Sequence, residues 1–438
     1  MPPPLRLNDP DAILARLEGL GIRLGLDRLR VLLAALGEPQ ARFPSVLVAG
    51  SNGKGSTSAL LAAMAGAAGY RVGHYTSPHL ESVEERVRVG GRTIERARLA
   101  ELLERVVEVA EADGSELPTY FEALTAAAFL AFAEDAIDLA VLEVGMGGRL
   151  DATNVVEPVL SVITPISLEH REHLGETLAA IAREKAGILR AGRPAVAWAE
   201  APAAEAALLV AAEEIGAELA VIDPEVRILV TESLGWAGQE VWLAGVAKGR
   251  GLRLGLLGEH QARNLVLATV AAEQLAGLGF PLLDDGAIAA GAAACRWPGR
   301  IEPVELPDGR RILLDAAHNP GGVAALAAFL DELGEPFDLL FGVLGNKQVR
   351  QMLSPLALRA ERVVLTQPTS PRALPAAELA ELLPPEDALV EAEAAMALEL
   401  ALAAPFSLLV ACGSIVLVGE LRAALRRRFG VPPHPSAS

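Results

Sequence analysis

The sequence predicts an α/β protein of two domains. The first is an N-terminal doubly wound, mostly parallel sheet with a small antiparallel β subdomain, and the second is a further α/β domain. Three observations predict it. A short apolar run, Ser45–Ala49, passes through a glycine-rich turn into an alanine-rich helical segment, Thr57–Gly69. Apolar strands and amphipathic helices then alternate along the chain. A breaker cluster, Trp297-Pro298-Gly299-Arg300, interrupts the alternation before it restarts. A chain of 438 residues is too long for one ordinary core, and its 52% apolar content can fill two. The division falls between residues 1–296 and 297–438.

The first domain centres on the stretch from Ser45 to Thr57, SVLVAGSNGKGST. Gly50, Gly53 and Gly55 let successive backbone N–H groups turn inward, and the following helix brings its positive dipole end to the same point. Lys54 can reach a terminal phosphate, and the hydroxyl of Ser56 or Thr57 can meet Mg²⁺. The loop departs from G-x-x-x-x-G-K-[ST], because Gly55 follows Lys54 and the hydroxyl comes one position later. The first domain therefore reads as a P-loop unit. Gly50, Asn52, Gly53, Lys54, Gly55, Ser56 and Thr57 are its candidate nucleotide contacts.

Two helices, Asp11–Leu20 and Leu26–Leu36, precede the loop. The 49 residues before Gly50 are too few for a separate substrate domain. After the loop, the strand Arg71–Tyr75 delivers Thr76-Ser77-Pro78-His79-Leu80 to a strand C-terminus, the edge where parallel α/β sheets bind ligands. Glu95–Ala112 is a charged-face helix, and Thr119–Glu122 leads into the apolar helix Ala123–Ala133. Ile137–Val144 is an apolar strand with Glu143 near its end, placed as a Mg²⁺ ligand would be. A carboxylate capping a tight turn is the structural alternative.

Val159–Thr164 is a strand with His170 beyond it, and the helix Ala180–Leu189 carries Lys185. Strand Ala195–Trp198, helix Ala203–Gly216 and strand Leu219–Ile222 extend the pattern. From Val226 to Leu256, short alternating runs between glycines predict a small antiparallel meander attached to the main sheet. Asn264 stands near the start of a long helix. Past the breaker, strands Arg311–Asp315, Leu339–Leu344, Arg362–Thr366 and Ser407–Ala411 alternate with helices. This is a Rossmann-like C-terminal domain whose first strand ends at Asp315 and His318.

Charge and composition narrow the function. A net charge of −18 argues against a nucleic-acid binder, which needs a basic surface. Cys295 and Cys412 form neither a disulfide framework nor a C-x-x-C site, which predicts a reduced, cytoplasmic protein. The N-terminus has no apolar signal region. The uncharged run Leu400 to Gly419 is broken by Pro405 and Gly413, so no membrane span is expected. Phosphate chemistry driven by ATP and Mg²⁺ is what the residues support.

Nine segments, GSNGKGS, TSPHL, YFE, LEVGMGGRLDATN, LEH, EKAGI, GEHQARN, RWPGRIE and DAAHNP, occur in that order. Together they resemble the folylpolyglutamate synthase / dihydrofolate synthase family of the Mur ligase superfamily. The resemblance implies an ATP-dependent amide ligase. ATP would convert a carboxylate to an acyl phosphate, and the amine of L-glutamate would displace phosphate from it. The acceptor would be dihydropteroate or a folate, the cofactors ATP and one or two Mg²⁺ ions, and the protein a monomer.

By the same resemblance Gly53, Lys54, Gly55 and Ser56 bind ATP phosphates, and Asn264, Arg300 and Asp315 contact the nucleotide. Ser56, Ser77, Glu143 and His170 serve the metal. Lys185 is carried as a carbamate, an oxygen anion beside Mg²⁺ where an ammonium would be repelled. Lys54, Lys185 and His318 are the candidate catalytic groups. Thr119, Tyr120, Phe121, Glu122, Leu150 and the loop Arg23–Gly25 border the pterin. A surface lysine is the plain alternative for Lys185, and a core position for Phe121. Arg23 stands where an acidic residue is expected, and Gln348 where an Asp is expected. The competing readings are a cell-wall ligase acting on a UDP-sugar peptide and a nucleotide switch that ligates nothing.

Overall fold

The computed structural model describes residues 9–21, 23–112, 116–222, 228–244, 251–345, 348–384 and 388–431. Asn346 and Lys347, beside Gln348, lie outside them, as do Val226 and Arg227 of the expected meander.

The first sheet contains β1 (Ser45–Ala49), β2 (Val72–Tyr75), β3 (Val87–Val89), β4 (Arg92–Thr93), β5 (Leu139–Glu143), β6 (Leu160–Ile163), β7 (Pro194–Trp198) and β8 (Glu218–Ile222). Their order is β4-β3-β2-β5-β1-β6-β7-β8. The pairs from β2 to β8 are parallel, and the β3–β4 edge is antiparallel. β1 is buried along its whole length, so it reads as a continuous apolar run. Leu47 and Ala49 join the core under the helices Arg96–Ala112 and Tyr120–Glu134. Val46 and Val48 join the opposite core, with Leu60 and Met64 of Lys54–Ala67 and Leu265 of His260–Gly277. Alanine and glycine let these helices approach closely. A Cβ on Gly291, in Asp285–Ala294, would lie 2.4 Å from Met64 Cα.

The meander forms β9 (Ile228–Ser233), β10 (Gln239–Leu243) and β11 (Gly251–Leu254), all antiparallel. It is the expected small antiparallel unit, a sheet of its own that joins the main sheet through a shared core rather than through hydrogen bonds. Its buried face is apolar apart from Gln239, whose side-chain amide donates to the Leu256 and Gly258 carbonyls (both 2.9 Å). Val241, Leu243, Leu252 and Leu254 pack into the core shared with the helix His260–Gly277, while Trp242 faces out.

The third sheet contains β12 (Glu302–Glu305), β13 (Arg311–Asp315), β14 (Phe337–Phe341), β15 (Arg362–Gln367), β16 (Ala388–Glu393) and β17 (Leu408–Cys412), in the order β12-β13-β17-β14-β15-β16. Only β12 is antiparallel. Four strands, β3 and the edge strands β4, β12 and β16, have no counterpart among the sequence expectations. They are short or carry charges at exposed positions, so they lack the apolar run of a central strand. The helix after Thr119 also starts earlier than expected, at Tyr120. No helix among the described residues is long and apolar enough to cross a membrane.

The first and third sheets meet at an ionic seam. Arg422, on the helix Ile415–Phe429, is 1% exposed and pairs with Glu81 and with Glu302 (3.0 Å). Arg426 adds a second contact to Glu81 at 2.8 Å. Nearby, a Cβ on Gly419 would lie 1.9 Å from the Leu80 carbonyl oxygen, so this helix rests directly on the backbone after Ser77. Breaking a buried ion pair strands the charges left behind. Arg422→Met is expected to lower unfolding stability by about 3 kcal/mol in a denaturant titration, and Glu420→Gln on the same helix by much less.

Candidate active site

The glycine-rich loop leaves β1 at its C-terminal end, with β5 on one side and β6 on the other. Gly50 has φ +146°, and a Cβ there would lie 1.8 Å from Thr164 Oγ1. Gly53 has φ +89°, and its Cβ would lie 2.3 Å from Asn264 Oδ1. Both positions need glycine for conformation and for space. The amides of Ser51 and Asn52 donate to the Pro165 carbonyl (2.9 and 3.3 Å), which pins the loop to the segment after β6. The helix Lys54–Ala67 has Gly53 as its N-cap and no side-chain cap. Its first-turn N–H groups therefore remain to meet an anion. Thr57 donates its hydroxyl to Asn264 (3.4 Å), which leaves Ser56 as the hydroxyl not committed there.

Two lysines converge on one carbonyl. Lys54 Nζ donates to Gly50 O (2.9 Å) and Ser51 O (3.2 Å). Lys185 Nζ donates to Gly50 O (2.7 Å) and to Glu169 Oε1 (2.7 Å). Lys185 is 1% exposed, which overturns the surface-lysine alternative. Burial, reinforced by Lys54 and opposed by Glu169, draws its pKa down to about 8. Glu169, the neighbour of His170, is a site residue that sequence reasoning missed. His170 itself is exposed, in the left-handed region at φ 45°.

Glu143 ends β5 in register with Val48 and accepts from the Ser77 amide at 3.1 Å. It is 5% exposed. Burial pushes its carboxyl up, while Lys54, the Ser77 amide, Arg300 and Arg86 pull it down. Asp151 behaves differently. It accepts from Met146 N (2.9 Å), Thr153 N (3.0 Å) and Thr153 Oγ1 (2.6 Å), so it shapes the glycine loop after β5. That loop locks against the helix Leu178–Ala186. A Cβ on Gly148 would lie 2.8 Å from Glu184 O, and one on Gly187 would lie 2.4 Å from Arg149 Cα. The EKAG and GMGGR segments are thus the two sides of one contact. Among the described residues no three His, Cys, Asp or Glu side chains already form a metal cluster.

The opposite wall comes from the third sheet. Arg300 lines the cleft with Ser77, Glu143 and Trp297. Asp315 accepts from Ile301 N and Ala317 N (both 2.8 Å), so both of its oxygens hold backbone. His318 is exposed and donates Nδ1–H to the Ala316 carbonyl (2.9 Å), which leaves Nε2 as the acceptor nitrogen. Asn319 donates to Asn52 Oδ1 (3.1 Å) across the cleft.

The expected pterin residues divide into two groups. Thr119 and Glu122 form a reciprocal helix cap, with Thr119 N to Glu122 Oε2 at 2.8 Å and Glu122 N to Thr119 Oγ1 at 3.3 Å. Arg28 also holds Glu122 (3.1 Å). Tyr120, Phe121 and Leu150 are half-buried. The Arg86 guanidinium lies 5.4 Å from the Tyr120 ring centre, and Phe121 packs against Gly145. Arg23 pairs with Glu116 at 2.9 Å.

Comparisons with known proteins bear on this arrangement. The family model described as Mur ligase middle domain matches residues 48–272, and Mur ligase, glutamate ligase domain, matches residues 299–417. A dihydrofolate synthase/folylpolyglutamate synthase of Mycobacterium tuberculosis is 39% identical over 378 residues, covering 81% of this chain and 76% of that protein. The chain belongs to the folylpolyglutamate synthase / dihydrofolate synthase family of Mur ligases.

Solved synthase structures agree along nearly the whole chain. Escherichia coli FolC in complex with DHPP and ADP gives a TM-score of 0.84 at 32% identity, covering 96% of this chain and 98% of that one. A bifunctional folylpolyglutamate synthase/dihydrofolate synthase with Mn, AMPPNP and L-glutamate bound gives 0.81 at 32% identity, covering 95% and 98%. In this synthase the glycine loop is the most constrained part of the site. Gly53→Ala is expected to weaken binding of a fluorescent ATP analogue about tenfold or more, because its Cβ displaces Asn264. Gly66→Ala, in open space on the same helix, leaves it unchanged.

Proposed function

We propose that this chain is an ATP-dependent ligase that joins L-glutamate to dihydropteroate, to folates, or to both, through an acyl phosphate. One observation carries the reading. The uncapped helix start at Gly53–Gly55, the Lys54 and Lys185 ammoniums on Gly50 O, and the buried Glu143 carboxylate surround one strand end. The family supports the reading, as do one relative's structure with DHPP and ADP and another's with Mn, AMPPNP and L-glutamate.

In this reading the chain divides between residues 296 and 297, and the site lies between the two domains. The residues fit a divalent cation, taken as Mg²⁺. Glu143 is a buried carboxylate that accepts from a single amide, which leaves acceptor capacity for a cation, and Ser77 lies beside it. Ser56, Ser77, Glu143 and His170, with Lys185 as a carbamate, would hold the metal, which neutralises phosphate charge when bound.

The chain's own groups do the rest. The first-turn amides of Gly53–Ser56 and the Lys54 ammonium hold phosphate oxygens where charge develops. Lys185 has its pKa near neutrality, so part of the population is an uncharged amine able to take up CO₂ as a carbamate. Asn264 and Arg300 face the nucleotide. Asp315 positions the backbone around Ile301 and Ala317, which sets His318 at the cleft mouth. Tyr120, Phe121 and Leu150 border the pterin, with Thr119 and Glu122 fixing the helix that presents them. The protein acts as a cytoplasmic monomer without nucleic-acid or membrane partners.

An ATP-turnover and product assay tests the reading, with dihydropteroate, tetrahydrofolate and UDP-linked acceptors, each with and without L-glutamate. Glutamate-dependent ADP release with one or both pterins is expected. Silence with both pterins ends the proposal, and turnover with the UDP-linked acceptor transfers the chain to the cell-wall class. Lys185→Ala is expected to lose ligation about a hundredfold or more, with partial rescue by small carboxylates. Full activity in that variant excludes a catalytic carbamate.

A further inference from the structure

The cleft floor holds a charged group that neither phosphate nor metal chemistry uses. Arg88 lies on β3 in register with His74 of β2. Its guanidinium lies 5.2 Å from the Trp297 ring centre, and its side chain lines the same cleft as Ser77, Glu143 and Arg300. Arg88 is 7% exposed, and its Nε and Nη2 are buried without a hydrogen-bond partner. Burial draws its pKa down to about 10, so it remains charged at neutral pH.

The neighbouring groups do not neutralise Arg88 by contact. Glu85 exerts the largest attraction, yet its carboxylate accepts from the amides of Leu80 (2.8 Å), Glu81 and Ser82 (both 3.0 Å). The Cys295 thiol is pushed up to about 12 and is neutral. His74 is drawn down to about 3, is neutral, and shares a hydrogen bond with Ser58 Oγ at 3.0 Å. A buried guanidinium fork with open donors is costly to keep, and it matches a carboxylate in two parallel hydrogen bonds.

We propose that Arg88 forms a subsite for the side-chain carboxylate of the incoming amino acid, and so selects glutamate over neutral amino acids. The proposal rests on the ligase reading. Distance from the reacting centre decides which end of the substrate it reads. Across the sheet Arg88 pairs with His74 and His74 with Val141, two strands over and two residues short of Glu143, so Arg88 stands back from the strand end that carries Glu143. The attacking amine must lie at that centre. The end of the amino acid that reaches Arg88 is the one farthest from the amine. Trp297 covers one face of the guanidinium, so a planar group approaches its edge. Orthophosphate released in the reaction shares the oxyanion chemistry, and the test separates the two.

Calorimetric binding of L-glutamate, L-glutamine and orthophosphate to the full chain is measured in the presence of AMPPNP, for the wild type, Arg88→Gln and Arg88→Lys. Arg88→Gln is expected to weaken glutamate binding about tenfold or more, to erase most of the preference for glutamate over glutamine, and to leave AMPPNP binding unchanged. Arg88→Lys falls between, because it keeps the charge and loses the fork. Unchanged glutamate affinity in both variants overturns the proposal. So does an effect on orthophosphate alone, or an equal loss of all ligands with a lower melting temperature. If Arg88→Gln does not fold, Arg88→Lys decides by the same criteria. Failure of the ligase reading is visible separately, as a wild-type protein that forms no pterin product.

Discussion

The carbonyl of Gly50 is the point on which the site depends. Gly50 stands where β1 ends, at φ +146° with no room for a Cβ beside the Thr164 hydroxyl, and its carbonyl accepts from both Lys54 and Lys185. Two ammoniums at one oxygen repel each other. Burial, and then Lys54, lower the pKa of Lys185, and Glu169 opposes them at 2.7 Å. This arrangement requires β1 to lie between β5 and β6, so that the phosphate loop, the Glu143 strand end and the segment bearing Glu169 open on the same edge. The helix carrying Lys185 must also pack closely on the loop after β5. The glycines at 148 and 187 make that packing possible.

Several carboxylates crowd this region, and their hydrogen bonds separate structural from functional roles. Asp151, Asp315, Glu85 and Glu122 each accept from two or more donors of the chain, mostly backbone amides. They hold loops in shape. Glu143 takes a single amide and faces the cleft among cations, and Glu169 takes the Lys185 ammonium. The same accounting on the basic side sets Arg422, paired with two glutamates at the seam, apart from Arg88, whose Nε and Nη2 have no partner.

The central strands were legible because a parallel strand covered on both faces must be apolar throughout, as Ser45–Ala49 and Leu139–Glu143 nearly are. Edge strands such as Ala388–Glu393 carry charges to solvent and lose that signal. Among the site residues, Lys54, Glu143 and Lys185 were legible from their place in motifs. Thr119 and Glu122 stood out for the same reason, and the structure commits them to a helix cap. Glu169 and Asp151 lie inside the segments LEH and LEVGMGGRLDATN, but nothing in the chain order shows what each one binds, and Arg88 lies outside all nine segments.

From residue order alone came the capacity for an anion site at Gly50–Ser56, the α/β alternation, and membership of a ligase family through nine ordered segments. These are properties of short stretches, set by backbone freedom at glycine, helix polarity and apolar periodicity. Only the tertiary structure decided that Lys185 is buried against a carbonyl 135 residues away, which carboxylates are already spent, and which guanidinium lacks a partner. Hydrogen-bond capacity and charge state depend on atoms within a few ångströms in space. Chain neighbours supply few of those atoms, and the fold supplies the rest.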